Sequence, residues 1–520
     1  MTNFSKRELL AGSFVGALAL KPAGRARAQA RAALSGAETD PAAGPGPFTA
    51  TAASLSTFRT PDWFRDAKFG IWAHWGPQAV PAQGDWYARF MYVPGHPHYE
   101  HHLKTYGHPS EKGYKDIIPL WTAEKFDPEV LVQRYEAAGA RYIVSMGVHH
   151  DNFDLWDSRH HRWNAVQMGP KRDIVGALRT AAKRRGLRFG VSEHLGASYN
   201  WWYPNQLYDQ FWPRMGKRYD GADPRFADLY HGNRDEPFLG DPDTWYTRNP
   251  EYQRHWFARI RDLIDKYQPD LLYSDGGVPF GAIGRAMVAH LYNSSIARSG
   301  RQEAVYNHKG LGSGEFNTAW GVQDVERGVL SGINPLPWQT DTSNGDWFHS
   351  EKDRYKSSDE VIAMLADIVS KNGNMLLNVV LRADGSLPPE SDQLLTELKA
   401  WMAENGPAIH GTRPWHVFGE GPTQPKEGAF QENAAYTPQD IRFTTKGDTL
   451  FAITLGVPNG PVAIQALGRG SGYEKRRVRE VRLLGHRGTI DFRQTDQALL
   501  ITPPTRLPTR HASAFEIRFA

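Results

Sequence analysis

The 520-residue sequence contains no cysteine, which excludes disulfides, thiol nucleophiles and cysteine metal sites. It also lacks any run of roughly 18 apolar residues, the length a membrane-spanning helix needs. No Gly-x-Gly-x-x-Gly follows a first strand, which counts against a dinucleotide-binding sheet. Neither a Gly-x-Ser-x-Gly elbow nor a phosphate loop is present, which argues against esterases and kinases. There is no His-Glu-x-x-His helix of the zinc peptidase type. Excess charge is missing too, once the start of the chain is set apart. The formal net charge is +4, and residues 1–30 alone carry five Lys/Arg and one Glu, so the remainder is neutral. The sequence pI of about 8.9 therefore belongs largely to the first thirty residues. It gives no case for nucleic acid or an anionic membrane as partner.

Those thirty residues have a pattern of their own. Lys6 and Arg7 precede an apolar, small-residue stretch from Leu9 to Leu20, and Ala28-Gln29-Ala30 offers a small-x-small cleavage site. The pattern predicts an export signal over 1–30 and a periplasmic or secreted protein. The start Ser5-Lys6-Arg7-Glu8-Leu9-Leu10 resembles a twin-arginine signal with one arginine replaced by lysine. An exported chain can do without disulfides when its core is large, and this one is long enough for two domains. Residues 31–57, rich in Ala, Gly, Pro, Ser and Thr, read as a linker.

From there short apolar strands alternate with helical patterns. Strands are expected at Lys68–Trp75, Arg141–Val148, Leu187–Ser192, Leu271–Ser274, Ala304–Asn307, Val322–Val325, Pro337–Thr340 and Met375–Val380. A helix opens at Asp127-Pro128-Glu129, with the acidic residue at the cap and proline in the first turn. Others are expected at Ile174–Arg185, at Tyr252–Tyr267 on one-face spacing, and near 281–297, 358–371 and 391–404. Strand and helix repeated about eight times argue for an α/β fold, a (β/α)8-like barrel over 58–412. An open doubly wound sheet is the alternative. After Pro414-Trp415, β-rich runs such as Thr449–Leu455 and Val478–Leu483 alternate with turn residues, which predicts a small C-terminal antiparallel β-sandwich over 413–520.

In a parallel barrel, chemistry is carried at the C-terminal lips of the strands. Here those lips hold His74-Trp75, His149-His150-Asp151, Glu193-His194, Asp275, His308-Lys309, Glu326-Arg327 and Gln339-Thr340-Asp341. Asp85-Trp86 follows in the first loop, and Tyr199, Trp201 and Trp202 lie behind the third strand. Asp275 closes Leu271-Leu272-Tyr273-Ser274 and is followed by two glycines, which leaves the carboxylate open to a pocket. With 17 Trp, 21 Tyr and 24 Phe, the chain has many rings on which sugar C–H faces can stack. Histidines 149, 150, 160 and 161 and the 96–102 cluster are the candidate metal ligands. Neighbouring histidines on one strand point to opposite faces, and the 96–102 cluster has no carboxylate pattern beyond Glu100. The expectation is no metal and no cofactor. What remains is carboxylate chemistry, and glycoside cleavage requires two acids.

The stretch Trp63 to Gly76, continued by Trp86-Tyr87-Ala88-Arg89-Phe90-Met91-Tyr92, resembles the opening barrel strand of the α-L-fucosidases of glycoside hydrolase family 29. The likeness continues through His149-His150-Asp151, Leu155-Trp156-Asp157-Ser158, Gly169 to Val175 and Asn372 to Asn378, over residues 60 to 415. The resemblance implies a retaining exo-hydrolase on a barrel with a C-terminal β-sandwich, acting on terminal α-L-fucosyl residues of oligosaccharides or glycoconjugates. It places the nucleophile on Asp275 and sugar contacts on His74, Asp85, Trp86, His149, His150 and Tyr273. The lip residues Trp75, Glu193, His194 and Trp202 complete the expected pocket. Many members carry a Glu after the Trp of strand seven, where this chain has Trp338-Gln339. Glu326 is therefore expected to be the acid/base, ahead of Glu193 and Asp341. An α-L-galactosidase and a catalytically silent fucose-binding protein are the alternatives, and the sequence does not specify whether the chain forms a homo-oligomer.

Overall fold

The computed structural model describes residues 41–211, 213–232, 244–310 and 313–520. The expected export signal and the first ten linker residues lie outside them. Eight strands close into a parallel barrel: β1 (Phe69–Ala73), β2 (Tyr142–Val148), β3 (Arg188–Glu193), β4 (Leu271–Ser274), β5 (Val305–Lys309), β6 (Val322–Asp324), β7 (Trp338–Ser343) and β8 (Gly373–Asn378). Each pairs with the next, and β8 returns to β1 through Gly70↔Leu376. The barrel is therefore closed, and the open-sheet alternative falls. Among the described residues no helix is long and apolar enough to cross a membrane.

Strand alternation decides what faces the barrel interior. Gly70 on β1 pairs with Tyr142 on β2, and a Cβ at Gly70 would lie 2.3 Å from the Tyr142 ring. Glycine at that position is what admits the ring to the interior. Above it Trp72 points inward, its Nε1 donating to Ser192 Oγ at 3.2 Å. On β4, Tyr273 and Asp275 share the inner face, while Ser274 points outward and donates to Glu193 at 2.6 Å.

The surrounding helices form where the apolar spacing predicts them. The helix Pro128–Ala137 is capped by the Asp127 side chain, which accepts from the N–H groups of Glu129 and Val130. The helix Pro250–Tyr267 is capped in the same way by Asn249 and buries Trp256, Phe257, Ile260, Leu263 and Ile264 against the barrel. The last barrel helix, Pro389–Asn405, leads into β9 (Arg413–Glu420).

The C-terminal region builds a five-stranded antiparallel sheet from β9, β10 (Ile441–Lys446), β11 (Thr449–Thr454), β13 (Val478–Leu483) and β16 (Ser513–Phe519). A three-stranded sheet of β12 (Val462–Ile464), β14 (Asp491–Gln494) and β15 (Leu499–Thr502) packs beside it. Strands β9, β12 and β14 were not expected. Two of them are only three and four residues long, too short to show alternation, and β9 carries a proline at its second position. The two units are joined firmly. Arg442 on β10 donates to Asp367 on the barrel helix Ser358–Ser370 at 2.6 Å with both side chains buried, and Trp401 donates to the Ala512 carbonyl at 2.8 Å.

Candidate active site

The centre of the site is a buried ammonium. Lys309, at the end of β5, places Nζ 2.9 Å from Asp275 Oδ1, 2.9 Å from Glu326 Oε2 and 3.1 Å from Asp341 Oδ2. Its side chain is only 1 % exposed, and it stays protonated because the surrounding carboxylates outweigh the burial that disfavours its charge. One ammonium cannot neutralise every carboxyl around it. Burial works against ionising Asp275, but Lys309, His194 and His150 outweigh it and hold the carboxyl well below its ordinary range. Asp324 is pushed upward by burial and by the neighbouring Asp341 carboxylate, and Asp341 by burial and by the Glu326 carboxylate. Asp275 is thus the ionised member, the state a nucleophile needs.

Three further groups orient it. His150 Nε2 lies 3.3 Å and His194 Nδ1 3.5 Å from Asp275 Oδ2, and the Tyr273 hydroxyl donates to Oδ1 at 3.3 Å. Tyr273 also donates to Asp341 at 2.9 Å. The Asp-Gly-Gly ending of β4 has a steric cause. A Cβ at Gly276 would lie 2.3 Å from the Tyr246 hydroxyl, and one at Gly277 would lie 2.5 Å from the Ser313 carbonyl. The chain can therefore turn under neighbouring loops while Asp275 stays in the pocket.

His74, His149 and His194 converge beside this group, with His74–His149 ring centroids 5.2 Å apart and His149–His194 centroids 4.8 Å apart. Burial and the neighbouring imidazoles drive His74 and His149 far below the usual histidine range, so both are neutral. Gln78 Nε2 donates to His149 Nδ1 at 2.9 Å, which leaves Nε2 as the protonated nitrogen, 3.7 Å from Asp85 Oδ1. Although His149 and His150 are adjacent in sequence, both rings enter the pocket. They lie beyond the last residue of β2, next to a register shift at Gly147, where alternation no longer applies. The rings of Trp86 and Trp245 stack at 6.0 Å, and both approach His150 edge-on. Two overlapping groups, His74–His149–His194 and His150–His194–Asp275, have donor atoms close enough to hold a metal ion. The same nitrogens aimed into one pocket also suit the hydroxyls of a sugar.

Three expected contacts are not brought into this cluster. Trp75 points away from the barrel axis, donates to the Arg382 carbonyl at 2.8 Å and packs on Trp121 and Phe126. Glu193 points outward, accepting from Ser274 at 2.6 Å and Trp256 at 3.1 Å. Trp202 packs among Tyr92, Tyr114 and Tyr230, and Trp201 is the ring beside His149 and His150. The cause is the same for Trp75 and Glu193: the residue before each, His74 or Ser192, takes the inward position. Gln339 is not at the rim. It sits two residues below Asp341, accepting from Tyr142 at 2.9 Å and donating to Asp324 at 2.7 Å. Sequence reasoning missed Trp72, Trp245 and Trp347 as pocket rings, took Trp202 rather than Trp201 as the sugar contact, and did not give Lys309 its central place. Trp72 was within reach, being two residues before His74 on the same face, but Trp245 and Trp347 sit in loops with no periodic signal.

A closed parallel barrel whose rim holds an ionised carboxylate beside a second acid, ringed by imidazoles and indoles, defines a glycoside hydrolase. The chain belongs to the alpha-L-fucosidase family, whose model matches residues 36–407. It is 27 % identical to the tissue alpha-L-fucosidase of Macaca fascicularis over 475 residues, covering 88 % of this chain and 89 % of that one. It is 29 % identical to the human plasma alpha-L-fucosidase over 469 residues, 86 % and 87 % of the two chains. The fold superimposes on Thermotoga maritima alpha-fucosidase in complex with fucose with a TM-score of 0.70 at 26 % identity, covering 90 % of this chain and 99 % of that one.

Proposed function

We propose that the protein is a retaining exo-α-L-fucosidase that releases terminal α-L-fucosyl residues through a covalent fucosyl-enzyme. The observation that carries the retaining mechanism is the shared ammonium. Asp275 Oδ1 and Glu326 Oε2 are each 2.9 Å from Lys309 Nζ, so these oxygens are at most about 5.8 Å apart (twice 2.9 Å), near the roughly 5–5.5 Å of retaining pairs and short of the roughly 6.5–9.5 Å of inverting ones. Asp275 attacks the anomeric carbon while the glycosidic C–O bond breaks. Glu326 gives its proton to the leaving oxygen and then takes one from the incoming water, whose oxygen displaces Asp275. Glu326 suits this role better than Asp341 because its side chain is 10 % exposed and Asp341 is 1 % exposed, closed off beneath Lys309 and Tyr273. His74, His149, His150 and His194 supply hydrogen bonds for ring hydroxyls, with Asp85 supporting His149, and Trp86 with Trp245 offers an apolar wall for the C5-methyl side. Residues 1–30 direct export, and residues 58–412 and 413–520 are the catalytic and sandwich domains.

Two variants test the assignment. Asp275→Ala should abolish turnover of an aryl α-L-fucoside without changing the melting temperature by more than a few degrees; near-normal turnover ends the reading. Glu326→Ala should lose roughly 10²–10⁴-fold on natural linkages and far less on an activated aryl leaving group, with azide restoring part of the rate. Equal losses on both substrates would move the acid/base elsewhere.

A further inference from the structure

The acid/base rim is held from outside the barrel. Its strand, β6, is only three residues long, and Glu326 lies two residues beyond its end. On one side β7 supports it: Val325 N–H donates to the Gln339 carbonyl at 2.9 Å, and Arg327 N–H to the Asp341 carbonyl at 2.8 Å. On the other side the support comes from residues 428–432, within the connection between β9 and β10 of the C-terminal unit. Phe430 N–H donates to the Glu326 carbonyl at 2.9 Å and Gln431 N–H to the Arg327 carbonyl at 3.1 Å. Gly428 and Val329 exchange two backbone bonds at 2.8 and 3.1 Å. Glu432 anchors this strap. Its carboxylate is buried, pairs with Arg327 at 3.0 Å and Lys356 at 2.9 Å, and accepts from Thr342 at 2.5 Å. Arg327 in turn lies over the Trp347 ring at 4.8 Å, against the pocket wall.

Two facing residues of this junction are strained. Arg327 has φ +43 and Phe430 φ +59, conformations that persist only when surrounding contacts fix them. A connection serving only to link two neighbouring strands of one sheet has no need to bury a carboxylate beneath the neighbour of a catalytic acid. We propose that the 428–432 strap is part of the catalytic apparatus, with Glu432 the positioning residue that fixes where Glu326 delivers its proton. The sandwich domain is then required for efficient departure of poor leaving groups, and this rests on Glu326 being the acid/base.

The test uses the full chain with Glu432→Gln and Gly428→Ala. The first keeps shape and removes the charge that Arg327 and Lys356 face. The second adds a Cβ that meets nothing closer than Gln431 Cγ at 3.9 Å, so it perturbs only a backbone at φ +125. Rates are measured on aryl α-L-fucosides of increasing leaving-group pKa. They are normalised to nucleophile sites trapped covalently by an activated 2-fluoro-fucoside, so unfolded protein does not count. Both variants should stay within about threefold on the most activated substrate and fall roughly 10- to 100-fold on the poorest, because a misplaced proton donor matters only when the proton is needed. Parallel losses along the series, or no loss, would overturn the proposal. Glu326→Ala in the same series separates the two ideas. A steep Glu326→Ala profile with a flat Glu432→Gln profile rejects the strap alone, and a flat Glu326→Ala profile removes both.

Discussion

Replacing Lys309 with methionine keeps an unbranched chain of similar length and deletes the charge. Three carboxyl oxygens within 3.1 Å then lose their common partner. A single pair at 2.9 Å has a gross attraction of about 6 kcal/mol at an effective dielectric constant of about 20. Breaking one side of a buried ion pair costs about 3–5 kcal/mol in practice, after the site relaxes. If that loss falls on the ionised state of Asp275, it corresponds to a fall in kcat/KM of roughly two to three and a half orders of magnitude at acid pH. The sign is fixed by the structure. Lys309 holds the Asp275 carboxyl below its ordinary range, and burial pushes the other way, so removing the ammonium moves the acid limb to higher pH. Loss of activity should therefore be greatest at low pH and shrink as pH rises. The assay is kcat/KM for an activated aryl α-L-fucoside from pH 4 to 9, for wild type and Lys309→Met, with circular dichroism confirming the fold. An unmoved acid limb in folded Lys309→Met, or one displaced to lower pH, would refute the reasoning.

Two further outcomes follow from buried carboxyls outside the pocket. Burial raises Asp151 to about 7 despite hydrogen bonds from Tyr114 and Phe153, so between about pH 4 and 7 the folded protein keeps a proton that the unfolded chain has released. Stability should fall across that window by roughly 4 kcal/mol at most and level off above it; denaturant unfolding should show a flatter pH profile for Asp151→Asn, and an identical profile would exclude Asp151 as the source. Glu193→Ala leaves the Ser274 hydroxyl and Trp256 indole without their acceptor; it should lower stability by about 2–4 kcal/mol while kcat/KM per folded molecule changes less than about threefold, whereas a large catalytic loss without destabilisation would return Glu193 to the site.

The barrel was legible because its signals are local and repeated. Apolar strands such as Leu271–Ser274 and capped helices such as the one opening at Asp127-Pro128 recur along the chain, and each appears within a residue or two of its expected bounds, except that β7 runs three residues further, to Ser343. The short sandwich strands β12 and β14 left too little pattern to read. At the site, Asp275, His74, His149 and His150 could be named from the lips of strands, because a parallel barrel brings those lips together, whereas Tyr273 came with the family resemblance. Trp75 and Glu193 were misplaced because listing residues at a lip does not say which of two neighbours faces inward. The internal contacts of Trp72 and Ser192 supply that choice.

By itself, the sequence determined the alternation that makes a barrel and the glycines that let β4 end in a carboxylate aimed into the pocket. Only the tertiary structure decided the electrostatics. Lys309, Glu326 and Asp341 lie 34, 51 and 66 residues beyond Asp275 in the chain, and closing the barrel places all three within 3.1 Å of one nitrogen or supplies that nitrogen. The ionised state of Asp275 and its separation from Glu326 are properties of that closure. The strap at 428–432 is more remote still, reaching back about a hundred residues from the C-terminal sheet. Spacing along a chain cannot encode such a contact, because through-space charge and hydrogen bonding depend on distances that exist only after folding.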